Sequence, residues 1–465
     1  MDKTGSKIAW CPTVRKADGP LYLAITDALS ADIMSGKLAA GDRLPPQRAL
    51  AEALKIDFTT VSRAYAEAGK RGLVEGKVGQ GTYVRNKHAA ARQPVPSGLV
   101  DMSMNLPPRF DDACLVSRMW EGIRGLESSD GIDLLMRYQA AGGARRDREA
   151  GALWLSSRLD GVTADRVLIC PGAQGALLAL IGLLAAPGET ILAEALTYPG
   201  IRSVAAHLRV NLAAVAMDQE GIIPQSFEDA CLKTKPKALY CTPTIQNPTT
   251  STLSMARRQA IVDIARRYQV PIIEDDAYGA LPLAPLPPLA SLAPELVYHI
   301  AGLAKCVAPA LRIAYLVAPE GSATPQLNSA IRATASMASP LAAAIASRWI
   351  EDGTAEAVIS AIRNETGARQ SIAARILPAE NVSTDPQGFH VWLRLTPPWT
   401  RAEFSSRLRS EGISVVASDA FALGSAPEAV RLGLGAPESR EELAKSLQVV
   451  AGLLGQSPVA FAMVV

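Results

Sequence analysis

Apolar positions along this 465-residue chain change their spacing from helical to alternating and back, and those changes divide it. Leu21, Ile25, Ala28, Leu29, Ile33 and Leu38 recur at helical intervals, which predicts a helix with one buried face. The turn Gly41-Asp42-Arg43-Leu44-Pro45-Pro46 interrupts the pattern, and it resumes over residues 47–54. A third helical stretch covers residues 59–71, with Asp57 placed to cap it and Val61, Tyr65 and Ala68 turned inward. Val78-Gly79-Gln80-Gly81-Thr82-Tyr83-Val84 then reads as a tight two-stranded wing. Helices, turn and wing in this order predict a winged helix-turn-helix, whose second helix can enter a major groove.

Residues 86–98, NKHAAARQPVPSG, have the Ala, Pro and polar composition of a linker. Beyond it, short apolar strands alternate with helical patterns. Candidate strands are residues 166–170, 190–193, 238–242, 272–275, 297–301 and 313–317, with helices at 175–186 and 254–268. Such alternation predicts an α/β domain with a doubly wound, mostly parallel sheet. Residues from 388 onward read as a smaller α+β domain. The expected division is 1–85 for the winged helix, 86–100 for the linker and 101–465 for the large domain.

Charge sharpens this picture only through its distribution. The chain total is +2, yet residues 1–87 hold 14 Lys and Arg against 9 Asp and Glu. A basic small domain ahead of a mildly acidic large one fits a DNA contact at the N-terminal end. Six cysteines form no CxxC pair and four histidines are scattered, so buried, reduced thiols are expected and a structural metal is not. The longest apolar run, residues 176–186, is shorter than the ~20 residues a bilayer span needs, and no leader pattern opens the chain. The expectation is a cytoplasmic protein without a membrane partner.

Residues 20–85 resemble the GntR family of winged-helix regulators. The matching positions are Pro20-Leu21-Tyr22, Gly41 to Leu44 with Pro45-Pro46, Arg48-Ala49-Leu50-Ala51, Thr59-Thr60-Val61, Ala64-Tyr65 and Gly79-Gln80-Gly81-Thr82. The resemblance implies that Arg48, Thr59 and Thr60 meet DNA backbone or base edges, with Gln80 and Gly81 of the wing against phosphate. Phe58 and Ser62 stand where such proteins often carry arginines.

Four further segments follow the order of a fold-type I pyridoxal-phosphate aminotransferase. They are Pro171-Gly172-Ala173-Gln174-Gly175, Gln246-Asn247-Pro248-Thr249, Glu274-Asp275-Asp276-Ala277-Tyr278, and Gly302-Leu303-Ala304-Lys305 with Arg312. Together with the first segment, the chain resembles the MocR branch of the GntR family. Pyridoxal 5'-phosphate needs a lysine for its Schiff base, and Lys305 follows a buried strand, where a desolvated amine loses its proton more easily. The ring nitrogen needs a carboxylate. Asp275 closes an apolar strand and Asp276 competes with it, while the D-x-x-Y spacing to Tyr278 favours Asp275. Asn247 and Tyr278 suit the ring phenolate. The glycine turn around Ala173 and Gln174 offers backbone donors to the phosphate, and Arg312 can fork onto two of its oxygens. Small hydroxylated residues are usual where Ala173, Gly302 and Ala304 stand.

The resemblance also implies that Tyr138 reaches the phosphate of the other subunit in a homodimer and that Tyr198 stacks on the cofactor face. Val430-Arg431-Leu432-Gly433 is similar to the segment whose arginine binds a substrate carboxylate, which makes Arg431 the candidate effector ligand. The reading that follows is a transcriptional regulator binding operator DNA. A small amino-acid-like effector displaces Lys305, giving an external aldimine that shifts the balance between two domain arrangements. A working aminotransferase with an accessory DNA-binding domain, or a sensor of pyridoxal phosphate itself, fits the same residues.

Overall fold

A computed structural model describes residues 10–12, 20–34, 37–39, 41–71, 73–77, 81–84, 99–126, 133–321 and 324–456. They fall into two compact units that divide between Ser97 and Gly98. The smaller unit contains α1 (Leu21–Met34), α2 (Gln47–Leu54), α3 (Phe58–Lys70), β1 (Val74–Lys77) and β2 (Gly81–Val84). The apolar stripe read from the sequence is its core: Ile25, Leu29, Leu50, Val61 and Tyr65 are all buried. Each such side chain contributes roughly 1.5–3 kcal/mol by leaving water. Asp57 caps α3 by accepting a hydrogen bond from the Thr59 backbone N–H at 2.8 Å, and the Tyr65 hydroxyl donates to the Pro45 carbonyl at 2.9 Å.

The wing differs from the sequence expectation. Its first strand runs over Val74–Lys77, antiparallel to Gly81–Val84, with Val74 opposite Val84. Both valines are buried. The apolar anchor of the hairpin is therefore Val74, and Val78, Gly79 and Gln80 lie outside the described residues.

In the larger unit a seven-stranded sheet has the order Val167–Cys170, Ala314–Val317, Val297–Gly302, Ile272–Asp275, Leu239–Cys241, Thr190–Glu194, Asn211–Val215. Ala314–Val317 is antiparallel to both neighbours and the other pairings are parallel. All six expected strands are present within a residue or two. Asn211–Val215 was not expected: it is an edge strand, mostly half-buried or exposed, and its two alanines are weak β-formers that make its short Leu-Ala-Ala-Val run a faint signal. The helix expected from 175 begins at Gly172, because a left-handed Gly172 (φ 75°) turns the chain from strand straight into helix.

The C-terminal lobe is an antiparallel sheet of Val382–Thr384, His390–Arg394, Ala429–Gly433 and Val416–Ala417. It packs with the helices Arg401–Ser410 and Arg440–Leu454 around a core that includes Leu393, Phe404, Leu432 and Leu447. Val100–Asp101 pairs in parallel with Ile413–Ser414, so the expected linker ends early and its last residues belong to this lobe. The strand leads residues 102–108 across Gly433, where a Cβ would come within 2.4 Å of the Met104 carbonyl oxygen. Only glycine admits that crossing. Of the cysteines, Cys170, Cys231, Cys241 and Cys306 are buried, while Cys11 and Cys114 are exposed, contrary to expectation.

Candidate functional site

Strand alternation decides between the two aspartates. Successive residues of a strand point to opposite faces. Glu274 and Asp276 share one face: His299 sits 2.9 Å from Glu274, and Asp276 pairs with Arg158 at 2.9 Å. Asp275 points the other way, where its Oδ2 accepts from the Tyr240 hydroxyl at 2.8 Å and its Oδ1 has no partner. Burial pushes the Asp275 carboxyl up to about 6.

A cavity of about 310 Å3 opens on that face. Its walls include Asp275, Tyr278, Lys305, Asn247, Arg312 and Arg431, together with Ala173, Gln174 and Tyr198. The chain thus brings nine of the expected cofactor and effector residues to one place from six separate segments. Tyr138 is not among them; it is 91% exposed in this chain.

Lys305 lies just beyond the strand Val297–Gly302, and its ammonium donates to the Asn105 carbonyl. Burial, with Arg431 nearby, pulls the Lys305 amine down to about 8. Asn105 also donates through Nδ2 to the Tyr278 hydroxyl at 2.7 Å. Tyr278 is fixed edge-on against Phe389, with ring centroids 5.8 Å apart, and burial raises its phenol far above the ordinary value. Gln174 donates to the Gly200 carbonyl at 3.0 Å, tying the helix start to the segment that carries Tyr198.

On the same cavity, the 13-residue helix Gly172–Leu184 presents an N-terminus with no side-chain cap. A Cβ on Gly172 would stand 3.1 Å from Arg312 Nη2, so the guanidinium lies directly over this turn. Uncapped N–H groups beside an arginine make an anion cradle.

Arg431 sits on the central strand of the C-terminal lobe and is 6% exposed. Nη1 donates to Asn247 Oδ1 at 2.9 Å, Nη2 donates to the Ser103 carbonyl, and the group lies 5.0 Å from the centre of the Phe421 ring. Its Nε is unpartnered. Among the described residues Arg431 forms no ion pair, and burial lowers its affinity for its own proton. A buried cation without an anion is costly, which fits a position awaiting a carboxylate.

These features also test whether pyridoxal phosphate fits. An orphaned Asp275 oxygen suits a protonated ring nitrogen, the Gly172 cradle suits a phosphate, and a buried lysine that gives up its proton more easily than a solvated one suits an aldehyde. The residues fit the group. Sequence reasoning missed Asn105, Tyr240 and Phe421, none of which lies in a recognisable motif.

In the smaller unit, Arg48 is exposed on α2 and its guanidinium stacks over Phe58 at 5.9 Å. Thr59 is exposed at the start of α3, with its hydroxyl turned to Asp57; Thr60 is half-buried. Gly81 opens β2 at φ 116°, and a Cβ there would stand 3.1 Å from Arg43 Nε. Phe58, at 43% exposure, serves as the platform for Arg48.

A winged helix and an aminotransferase-type site in one chain define a class: a DNA-binding regulator built on an enzyme fold. The model of gntR-family bacterial regulatory proteins matches residues 21–84, and that of class I and II aminotransferases matches residues 121–449. The chain is 32% identical over 453 residues to an uncharacterized HTH-type transcriptional regulator, YdeF of Bacillus subtilis, covering 96% of this chain and 97% of the relative. It is 26% identical over 333 residues to the probable rhizopine catabolism regulatory protein MocR of Rhizobium meliloti, covering 66% of each. Among solved structures, the α-aminoadipate aminotransferase LysN of Thermus thermophilus, in complex with N-(5'-phosphopyridoxyl)-L-leucine, superposes with a TM-score of 0.68 at 24% identity. That match covers 77% of this chain and 92% of the enzyme, and it shows the fold. The chain belongs to the MocR-type GntR regulators, in which a winged helix is joined to an aminotransferase class I and II domain. Among the described residues no helix is long and apolar enough to cross a membrane.

Proposed function

We propose that this regulator binds pyridoxal 5'-phosphate in the cavity around Lys305 and uses it to sense a small amino-acid-like effector, which alters its affinity for operator DNA. The observation that carries the reading is the pair of unsatisfied buried groups, Asp275 Oδ1 and Arg431 Nε, in one cavity with a partly deprotonated lysine. When bound, the cofactor supplies an aldehyde that exchanges one primary amine for another.

The protein residues do the rest. Lys305 would be the amine that meets the cofactor's aldehyde, Asp275 would keep a proton on its ring nitrogen, and Tyr278 and Asn247 would serve its ring oxygen. Tyr198 would support its ring. Arg312 and the backbone at Ala173 and Gln174 would hold its phosphate. Arg431 would receive the effector carboxylate, and the Asn105 carbonyl, which accepts from Lys305, would orient that amine. An effector changes DNA affinity only through different affinity for two states of the protein. A cytoplasmic homodimer completes the reading: exposed Met104, Trp120, Met136 and Tyr138 support a partner surface, and paired winged helices match operator half-sites.

The deciding experiment titrates cofactor-loaded protein with amino acids at the absorbance of lysine-bound cofactor and assays keto acid alongside. Stoichiometric spectral change without keto acid is the expected result. Continuous keto-acid production would make the protein an enzyme with an accessory domain.

Two further outcomes follow. Arg48→Ala weakens operator binding by about 1–3 kcal/mol and, if the contact is to phosphate, lowers the slope of affinity against salt, read by fluorescence anisotropy over a salt series. Gly302→Ser adds a hydroxyl at a place with room for it, since a Cβ there meets only Ala173 Cβ, at 3.6 Å. Cofactor binding tightens by about 0.5–1.5 kcal/mol in an equilibrium dialysis measurement, the range for one new hydrogen bond.

A further inference from the structure

The side chains along α3 decide which bases the smaller unit can read. In a helix-turn-helix, the N-terminal residues of the second helix meet base edges in the major groove. Val61, Ala64, Tyr65 and Ala68 turn inward. Thr59, Ser62 and Ala66, spaced three and four apart, share the outward side, and Thr59 and Ala66 are exposed. Phe58 is the first residue of the helix, four before Ser62, and it is 43% exposed.

That outward side lacks the groups that recognise three of the four bases. Guanine is read by Arg or Lys, adenine by Asn or Gln, and cytosine by Asp or Glu. The helix contains no Asn or Gln, and its charged residues are Arg63, Glu67 and Lys70. The Arg63 guanidinium is drawn over the Tyr22 ring of α1, 4.5 Å from its centre. Glu67 accepts from Arg71 Nε at 3.0 Å. Lys70 closes the helix, roughly 18 Å along its axis from Phe58. The Thr59 hydroxyl already donates to Asp57, and a serine such as Ser62 serves several bases and discriminates little. What remains is apolar contact, and the one methyl group on the major-groove edges of the bases is the 5-methyl of thymine.

Phe58 is shaped for that contact. Among the described residues of the smaller unit, no other large apolar side chain is as exposed. Its ring is held on one side by the Arg48 guanidinium, 5.9 Å from the ring centre. Arg48 is the second residue of α2 and carries the charge that suits a phosphate oxygen. The stacked pair can therefore set a ring in the groove beside a cation on the backbone.

We propose that Phe58 is a specificity-determining residue of the DNA interface, packing its ring against the 5-methyl group of one thymine in each half-site. This rests on the reading of the smaller unit as an operator-binding module, and the test separates the two. Full-length protein selects duplexes from a randomised library. Each thymine of the recovered sequence is then replaced singly by deoxyuridine, which removes the methyl and keeps every hydrogen-bonding group. Fluorescence anisotropy gives the affinities. At one thymine per half-site the loss is about fourfold, the fold-change for withdrawing one methyl-sized group from a buried contact. Phe58→Ala binds the thymine and deoxyuridine duplexes equally. Phe58→Arg, put through the same selection, exchanges that thymine for guanine, because a guanidinium bonds guanine O6 and N7. Should Phe58→Ala fail to fold, the thymine scan of the parent and the Phe58→Arg selection decide. A library from which nothing is enriched would refute DNA reading and this proposal together. An enriched sequence that tolerates deoxyuridine at every thymine, or a methyl effect that survives in Phe58→Ala, would overturn the role of Phe58 alone.

Discussion

Lys305→Ala, loaded with pyridoxal phosphate and stripped of excess, shows no absorbance from lysine-bound cofactor and no spectral response to any amino acid, while its circular dichroism matches the parent. Lys305 is the buried amine of the cavity, and the hydrogen bond it loses is to the Asn105 carbonyl, next to a space that water can enter. A lysine-bound band persisting in the variant would place the attachment elsewhere and sink the assignment. The same residue sets a pH dependence. Its neutral form is the nucleophile, and with the amine lowered to about 8 that form grows as pH rises through 8. At pH 7 it is ~10% populated, against roughly 0.04% for a solvated lysine. The rate of cofactor capture by cofactor-free protein is therefore half-maximal near pH 8 and levels off above about pH 9. A rate still climbing steeply at pH 10 would show an ordinary solvated lysine.

Arg431→Ala weakens the effector by about 1.5–3 kcal/mol, the range for hydrogen bonds to a charged group, while pyridoxal phosphate stays bound. The guanidinium is held by Asn247 and the Ser103 carbonyl, and it lies over Phe421, so its fork is oriented before a ligand arrives. Arg431→Lys recovers only part of the loss, because an ammonium cannot reproduce a planar fork. Effector titration of parent and both variants measures this. Equal affinity in all three removes the carboxylate role. If no carboxylated amine perturbs even the parent, a sensor of the cofactor itself becomes the better reading.

How far the sequence carried depends on whether a residue's neighbours are local. The winged helix was legible because its buried face repeats along single helices and its cap, Asp57, acts two residues away. The sheet was legible wherever a strand is buried on both faces, and the half-exposed edge strand Asn211–Val215 escaped for the opposite reason. Asp275, Lys305 and Arg431 drew attention because a charge at the end of, just beyond or within an apolar strand stands out. Asn105 was not. It touches Lys305 and Tyr278 across separations of 200 and 173 residues, and nothing around it signals that reach. The wing was misplaced by one strand because glycines draw attention to the turn, while the buried valine that anchors the hairpin lies before it.

The unsatisfied groups of the Lys305 cavity bear on how long the protein survives in a cell. Leaving Asp275 Oδ1, Asn105 Oδ1 and Arg431 Nε without partners lowers the stability of the ligand-free chain by about 1–3 kcal/mol each. Any molecule that binds the folded form and satisfies them returns that stability by mass action. On the proposed reading, cofactor supply then sets the unfolded fraction exposed to proteases, and with it the amount of regulator present. Scarcity of the vitamin would silence this protein twice, by emptying its site and by shortening its lifetime.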